Sequence, residues 1–116
     1  LKNLVVIENL NIAYITLSKE ELERYHYKKG DTEGFVNYGL SLKGIKLAAI
    51  LIENPWEGHI RISLRSKGSF PVNELAKSYF SGGGHINAAG GRSDLTLEAT
   101  IEKLLSAVTH YKSKLI

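Results

Sequence analysis

Gly82-Gly83-Gly84-His85-Ile86-Asn87-Ala88-Ala89-Gly90 is the stretch on which the reading of this chain turns. Ordering consecutive glycines costs about 1 kcal/mol each relative to alanine by helix-context values, so a fold keeps them for a local reason. One reason is a helix end followed by a turn that needs positive φ. The other is close backbone approach to a ligand, with amide N–H groups free to donate to phosphate or ribose oxygens. Upstream, Glu74 to Tyr79 reads as a helix that must stop at the glycines. Downstream, His85 to Ala89 reads as about one helical turn, and Gly90 to Ser93 as a short strand. On that reading His85 leaves a glycine loop at a helix N-terminus, where its imidazole can donate to a phosphoryl oxygen and a phosphate favours its protonated form.

Working outward, His59 to Arg65 alternates strictly, with Ile60, Ile62 and Leu64 on one side and His59, Arg61, Ser63 and Arg65 on the other. Arg65 is the natural partner of His85, because a guanidinium grips phosphate through paired hydrogen bonds. The Arg61, Arg65 and Lys67 set is read equally well as an ordinary solvated strand face. Lys46 to Glu53 carries the unbroken apolar run Leu47 to Ile52 and reads as a central strand buried on both sides, ended by Pro55 and Gly58. The Pro-Trp-Glu-Gly connection predicts antiparallel pairing of these two strands.

Toward the N-terminus, Leu4 to Ile7 and Ile12 to Leu17 predict an edge hairpin through the Asn-rich turn Glu8 to Asn11. Ser18 with Glu21 forms a capping box that opens a helix over Lys19 to Tyr25. His26 to Gly34 reads as an exposed loop and Phe35 to Leu42 as helical or irregular. At the other end, Leu97, Ile101, Leu104, Leu105 and Val108 recur at helical spacing, predicting an amphipathic helix to about Leu115 with Thr96 as N-cap. The element order predicts a single α/β domain, a mixed sheet of about five strands flanked by helices.

Composition narrows function mostly by exclusion. With 116 residues, 43% hydrophobic and 23% charged, the chain has the balance of one globular domain. No apolar run approaches the roughly 20 residues of a membrane span, and Leu1 to Ile7 lacks a signal-peptide pattern, so a cytoplasmic protein with no membrane partner is expected. Absence of cysteine removes disulfides and thiolate sites; absence of methionine suggests a piece of a longer protein. A net charge of +3 is too small for duplex binding by charge alone, so a few well-placed cations must decide. The aspartates, Asp31 and Asp94, are not near histidines in sequence, and His26, His59 and His110 are scattered. No metal-ligand set, Ser-His-Asp set or catalytic residue is expected within this chain. Trp56, Tyr79 and Phe80 are candidate base-stacking residues, each read equally well as packing.

The Gly82 to Gly90 stretch resembles the Gly-Gly-Gly-His-x-x-Ala-Ala-Gly signature of the C-terminal, substrate-binding (DHH-associated) domain of the Asp-His-His phosphoesterases. Ile62-Ser63-Leu64-Arg65-Ser66-Lys67 is similar to that family's arginine-bearing strand, and Glu33-Gly34-Phe35-Val36-Asn37 to the segment opening the domain's centre. The branch it resembles most holds the bacterial oligoribonucleases and phosphoadenosine-phosphate phosphatases. The resemblance implies a missing N-terminal catalytic domain that holds a pair of metal ions, usually manganese, with this domain closing over the cleft. It implies backbone contacts from Gly82, Gly83 and Gly84, phosphate binding by His85, and phosphate or terminal-nucleotide binding by Arg65. The substrate so implied is a short single-stranded oligonucleotide or a bisphosphorylated nucleotide, and this chain alone would be inactive. Polyphosphate- or pyrophosphate-processing relatives and a stand-alone nucleic-acid-binding module remain as alternatives. A related domain of alanyl-tRNA synthetases is disfavoured by His85 and Ala88-Ala89.

Overall fold

The run Leu47 to Ile52 is satisfied only by neighbours on both edges and both faces, and the fold is built around it. The computed structural model describes residues 3–26, 29–54 and 57–116. Strands β1 (Leu4–Ile7), β2 (Ile12–Leu17), β3 (Leu47–Glu53), β4 (Ile60–Ser66), β5 (Gly83–His85) and β6 (Ala88–Ser93) form one mixed sheet in the order β1-β2-β3-β4-β6-β5. β2 and β3 are parallel, which requires the crossover made by helices α1 (Lys19–Arg24) and α2 (Lys29–Ser41). All other neighbours are antiparallel. The α/β class is as expected, with six strands rather than about five.

Alternation sorts each strand between two cores. Leu47, Ala49 and Leu51 of β3 and Ile60, Ile62 and Leu64 of β4 pack against helices α3 (Val72–Tyr79) and α4 (Leu97–Thr109), with Phe70, Leu75, Phe80, Leu104 and Val108 buried between the layers. Burying each such side chain contributes about 1.5 to 3 kcal/mol. On the other face Ala48 and Ile50 join Ile15, Leu17 and Val36, so α2 covers β2, β3 and the near side of β4. No helix covers β6 and β5 on that face among the described residues; Arg92, Gly83 and His85 are exposed there.

The capping signals are realised. Ser18 accepts from the Glu21 amide while the Glu21 carboxylate accepts from the Ser18 amide, closing the box that starts α1. Thr96 accepts from the Ala99 amide at 3.1 Å, and α4 ends at Thr109, followed by a 3-10 turn over Lys112–Lys114 instead of a continuous helix to Leu115.

Two segments differ from expectation. Of the predicted loop over His26 to Gly34, residues 27 and 28 lie outside the described residues, and from Lys29 the chain is already α2. Tertiary burial of Thr32 and Val36 against the sheet outweighs the poor helix propensity of the glycines. The helical turn expected over His85 to Ala89 is instead a hairpin: β5, the turn residues Ile86 and Asn87, then β6. Pro55 and Trp56 of the β3–β4 connection also lie outside the described residues. The antiparallel pairing expected there is present, and the Asn54 amide donates a hydrogen bond to the His59 carbonyl at 3.0 Å.

Candidate functional site

Strand register brings Arg65 and His85 into one row. Arg65 pairs with Ala88 across β4 and β6, and Ala88 pairs with His85 across β6 and β5. Directly opposed residues project to the same side of a sheet, so the Arg65 guanidinium and the His85 imidazole rise from one face with only a methyl group between them. Their backbones stand about 10 Å apart, the spacing of two ladder steps. Ser63, Gly90 and Gly83 make the next row, and Arg61 with Arg92 the one beyond. The open half of the sheet is therefore a floor of small residues with cations at both ends.

Arg65 is held before any ligand arrives. Its Nη2 donates to Glu33 Oε1 on α2 at 2.9 Å, and its Nη1 donates to the Leu64 carbonyl at 3.0 Å. The Arg65 side chain is 21% exposed and that of Glu33 60%, so the guanidinium is half-buried while its carboxylate partner stays wet. An ion pair so exposed contributes at most about 1 kcal/mol, weak enough for a phosphate to compete. The His85 residue is exposed, and its imidazole has no hydrogen-bond partner among the described residues.

The three glycines are not equivalent. A Cβ on Gly82 would lie 1.9 Å from the Gly90 carbonyl oxygen and 2.6 Å from the Gly91 Cα, and one on Gly84 2.7 Å from the Ala88 oxygen. Gly84 also has a φ of 147°, which favours glycine. Close packing of β5 on β6 thus accounts for both. Gly83 is different: a Cβ there meets nothing within 4 Å, and its φ lies outside the left-handed region. It shares the face of His85, two residues away along β5. Packing gives no reason for glycine here.

The hairpin is fastened at its turn. Buried Ser66, the last residue of β4, donates through Oγ to the Phe70 carbonyl at 2.7 Å and accepts from Asn87 Nδ2 at 2.9 Å. Asn87 Nδ2 also donates to the Gly68 carbonyl at 3.1 Å, and the Val72 amide that opens α3 donates to the Ile86 carbonyl at 2.9 Å. At the other end of β5 the Gly82 amide donates to the Ala76 carbonyl of α3 at 3.1 Å. The strand carrying His85 is thereby tied to β4 and to both ends of α3.

The structure brings together Arg65, Gly83 and His85 on one surface and assigns Gly82 and Gly84 to packing beneath it. His85 does not sit at a helix N-terminus, which corrects the earlier expectation. Its setting is an edge strand, and the row with Arg65 replaces a helix dipole as the source of positive field. Tyr79 and Phe80 leave the stacking candidates: Phe80 is buried in the α3–α4 core, and Tyr79 packs against that core with its hydroxyl 2.8 Å from His110 Nδ1. Trp56 lies outside the described residues. Sequence reasoning missed Glu33, Arg92 and the special place of Gly83. The signal for Arg92 is present in the sequence, since Ala88, Gly90 and Arg92 recur with period two, but the helix propensity of Ala88-Ala89 masks it.

Among the described residues no three His, Cys, Asp or Glu side chains converge as metal ligands. The donor set of the described residues does not fit a pair of metal ions. No helix of the described residues is long and apolar enough to cross a membrane.

The geometry has clear relatives. A crystal structure of an exopolyphosphatase-related protein from Bacteroides fragilis superposes with a TM-score of 0.91 at 44% identity, over 98% of this chain and 33% of that one. A 3′,5′-cyclic-nucleotide phosphodiesterase of Helicobacter pylori is 33% identical over 98 residues, covering 77% of this chain and 27% of the relative. A pGpG-specific phosphodiesterase, PggH, from Vibrio cholerae shares the fold alone, with a TM-score of 0.58 at 15% identity, over 98% of this chain and 35% of that one. The chain thus spans about a third or less of each relative's length. The DHHA1 domain model matches residues 9–114, nearly the whole chain, including every residue of the open face. This chain belongs to the DHHA1 domain family, the domain associated with DHH phosphoesterases.

Proposed function

We propose that this chain is the substrate-binding domain of a manganese-dependent phosphoesterase that hydrolyses short single-stranded oligonucleotides or nucleoside 3′,5′-bisphosphates. The observation that carries the reading is the Arg65–Ala88–His85 row beside Gly83 on the uncovered half of the sheet. Arg65 grips a phosphate and His85 donates to it from the other side. The backbone of β5, an edge strand with no strand on its outer side among the described residues, lies along the substrate. The metals and the attacking water belong to an N-terminal domain of a longer protein, as does the hydrolytic chemistry. A cysteine-free chain suits a cytoplasmic enzyme. The phosphodiesterase name of the Helicobacter pylori relative supports a nucleotide phosphoester as substrate.

The test uses the full-length protein with manganese and a 5′-phosphorylated diribonucleotide, a nucleoside bisphosphate and inorganic polyphosphate in parallel. The diribonucleotide or the bisphosphate is expected to be cleaved, and the isolated chain is expected to cleave neither. Arg65→Ala and His85→Ala in the full-length protein should each lower kcat/KM at least about tenfold, the loss of one charge-assisted hydrogen bond, with the melting temperature retained. Activity of both variants equal to wild type would remove the row from the site. A second reading, polyphosphate or pyrophosphate hydrolysis, is favoured by the name of the Bacteroides fragilis relative. Preferential turnover of polyphosphate would replace the first reading with it.

A further inference from the structure

At the far end of the open floor, Arg61 of β4 and Arg92 of β6 face each other as direct cross-strand partners. Directly opposed like charges destabilise a sheet, so the arrangement calls for an anion to offset it. Arg61 is exposed and has no ion pair among the described residues, and Arg92 has only Asp94, just past the end of its strand, at 3.4 Å. Neither side chain is absorbed by a core, and neither belongs to the Arg65–His85 row. Beside this end of the floor a cleft of about 30 Å³ is lined by Thr32, Glu33, Ile52, Arg61 and Ser63.

We propose that Arg61 and Arg92 form a second anion subsite, which holds a phosphate further along a single-stranded oligonucleotide whose first phosphate sits between Arg65 and His85. The inference rests on the oligonucleotide reading above. The two rows are four residue steps apart, about 13 Å along β4. That is the reach of a short run of nucleotides rather than of one phosphate group. The chemistry of the middle row decides between chain types. Ser63, Gly90 and Gly83 carry no charge, so an anion lying there would be left uncompensated. Polyphosphate is charged at every unit and would place charge on that neutral floor. An oligonucleotide spaces its phosphates further apart, with uncharged ribose between them, so it leaves far less charge over glycine and serine while its end phosphates meet the arginines. Arginine suits each end, because its planar fork makes paired bonds to phosphate oxygens.

The experiment compares the full-length manganese enzyme with its Arg61→Gln, Arg92→Gln and double variants on 5′-phosphorylated di- and tetraribonucleotides. The expected result is a fall of about tenfold in the ratio of tetranucleotide to dinucleotide kcat/KM in the double variant, the loss of one charge-assisted contact. The slope of log KM against log salt for the tetranucleotide should also flatten by about 0.7 per lost phosphate contact. Arg61→Lys with Arg92→Lys, keeping the charges, should restore that slope. Melting curves verify that each variant is folded, and both side chains are exposed. A length ratio and salt slope equal to wild type in the double variant overturn the subsite while leaving the oligonucleotide reading in place. A wild-type enzyme that cleaves polyphosphate and neither oligonucleotide overturns both.

Discussion

Placing a methyl group in turn on Gly82 and Gly83 should separate the packing role of the glycine run from its ligand role. In Gly82→Ala the new Cβ starts 1.9 Å from the Gly90 oxygen and 2.6 Å from the Gly91 Cα, both backbone atoms that cannot rotate aside. Restoring ordinary contact requires β5 to back away from β6 by roughly 1.5 Å, which stretches their ladder beyond hydrogen-bonding distance. Overpacking of this kind costs about 1 to 3 kcal/mol, and each lost backbone bond about 1 kcal/mol more. A total of about 2 to 4 kcal/mol corresponds to a melting temperature lower by about 10 °C or more for a domain of this size. Gly83→Ala adds its methyl to open space at a φ outside the left-handed region. Its melting temperature should stay level or rise, because a less flexible unfolded chain stabilises a compatible fold by about 0.4 to 1 kcal/mol. The assay pairs thermal unfolding by circular dichroism with kcat/KM of the full-length enzyme. Gly83→Ala should be fully folded yet about tenfold poorer on a dinucleotide, the effect of losing one good contact. A Gly82→Ala protein that melts with wild type, or a Gly83→Ala protein that binds substrate normally, would refute the assignment.

Glu33→Gln should lower KM for a phosphate-bearing substrate by up to about fivefold, because an exposed carboxylate competing for Arg65 is worth at most about 1 kcal/mol. A higher KM would mean that Glu33 aims the guanidinium instead of occupying it. Asn87→Ala removes the donor to Ser66 and Gly68 and should destabilise by about 1 to 2 kcal/mol in urea titration, leaving the Leu97–Thr109 helix signal intact. Burial raises the Tyr111 hydroxyl above its usual value of 10.0, with Glu74 and Tyr79 adding to the effect. The folded state therefore holds that proton more tightly than the unfolded chain. The stability so gained is present below pH 10 and is lost as pH rises through the folded value. Tyr111→Phe should accordingly lose less stability between pH 10 and pH 11 than wild type, as read by denaturant midpoints.

Local patterns were legible wherever side chains alternate between water and a core. The run Leu47 to Ile52, the alternation through Ile60, Ile62 and Leu64, the Ser18 box and the Thr96 cap each state their environment in residue type alone. The hairpin holding His85 was not legible for the same reason. Gly83 and Gly84 have no side chains with which to alternate, and Ala88-Ala89 favours helix by intrinsic propensity. What makes this segment a hairpin is non-local: the Ser66, Gly68 and Val72 partners of its turn lie 14 or more residues away in sequence. The N-terminal half of α2 escaped notice likewise, since its stability comes from the sheet beneath Thr32 and Val36 and not from its own glycine-containing sequence. Arg65 and His85 could be picked out individually by type and by motif. That they share a row follows only from strand register, which no spacing along the chain encodes.

The fastening of the Ile86–Asn87 turn to Ser66, Gly68 and Val72 has a consequence for the thermodynamics of recognition. The ordering entropy of the β5–β6 hairpin is expended during folding of the domain, before any encounter. Binding on this face should then resemble docking to a rigid die, with association rates set by diffusion and charge instead of by loop rearrangement. Selectivity would arise from how well a ligand's fixed charges match a surface that does not adapt, and discrimination would be sharpest against chains with the wrong repeat length.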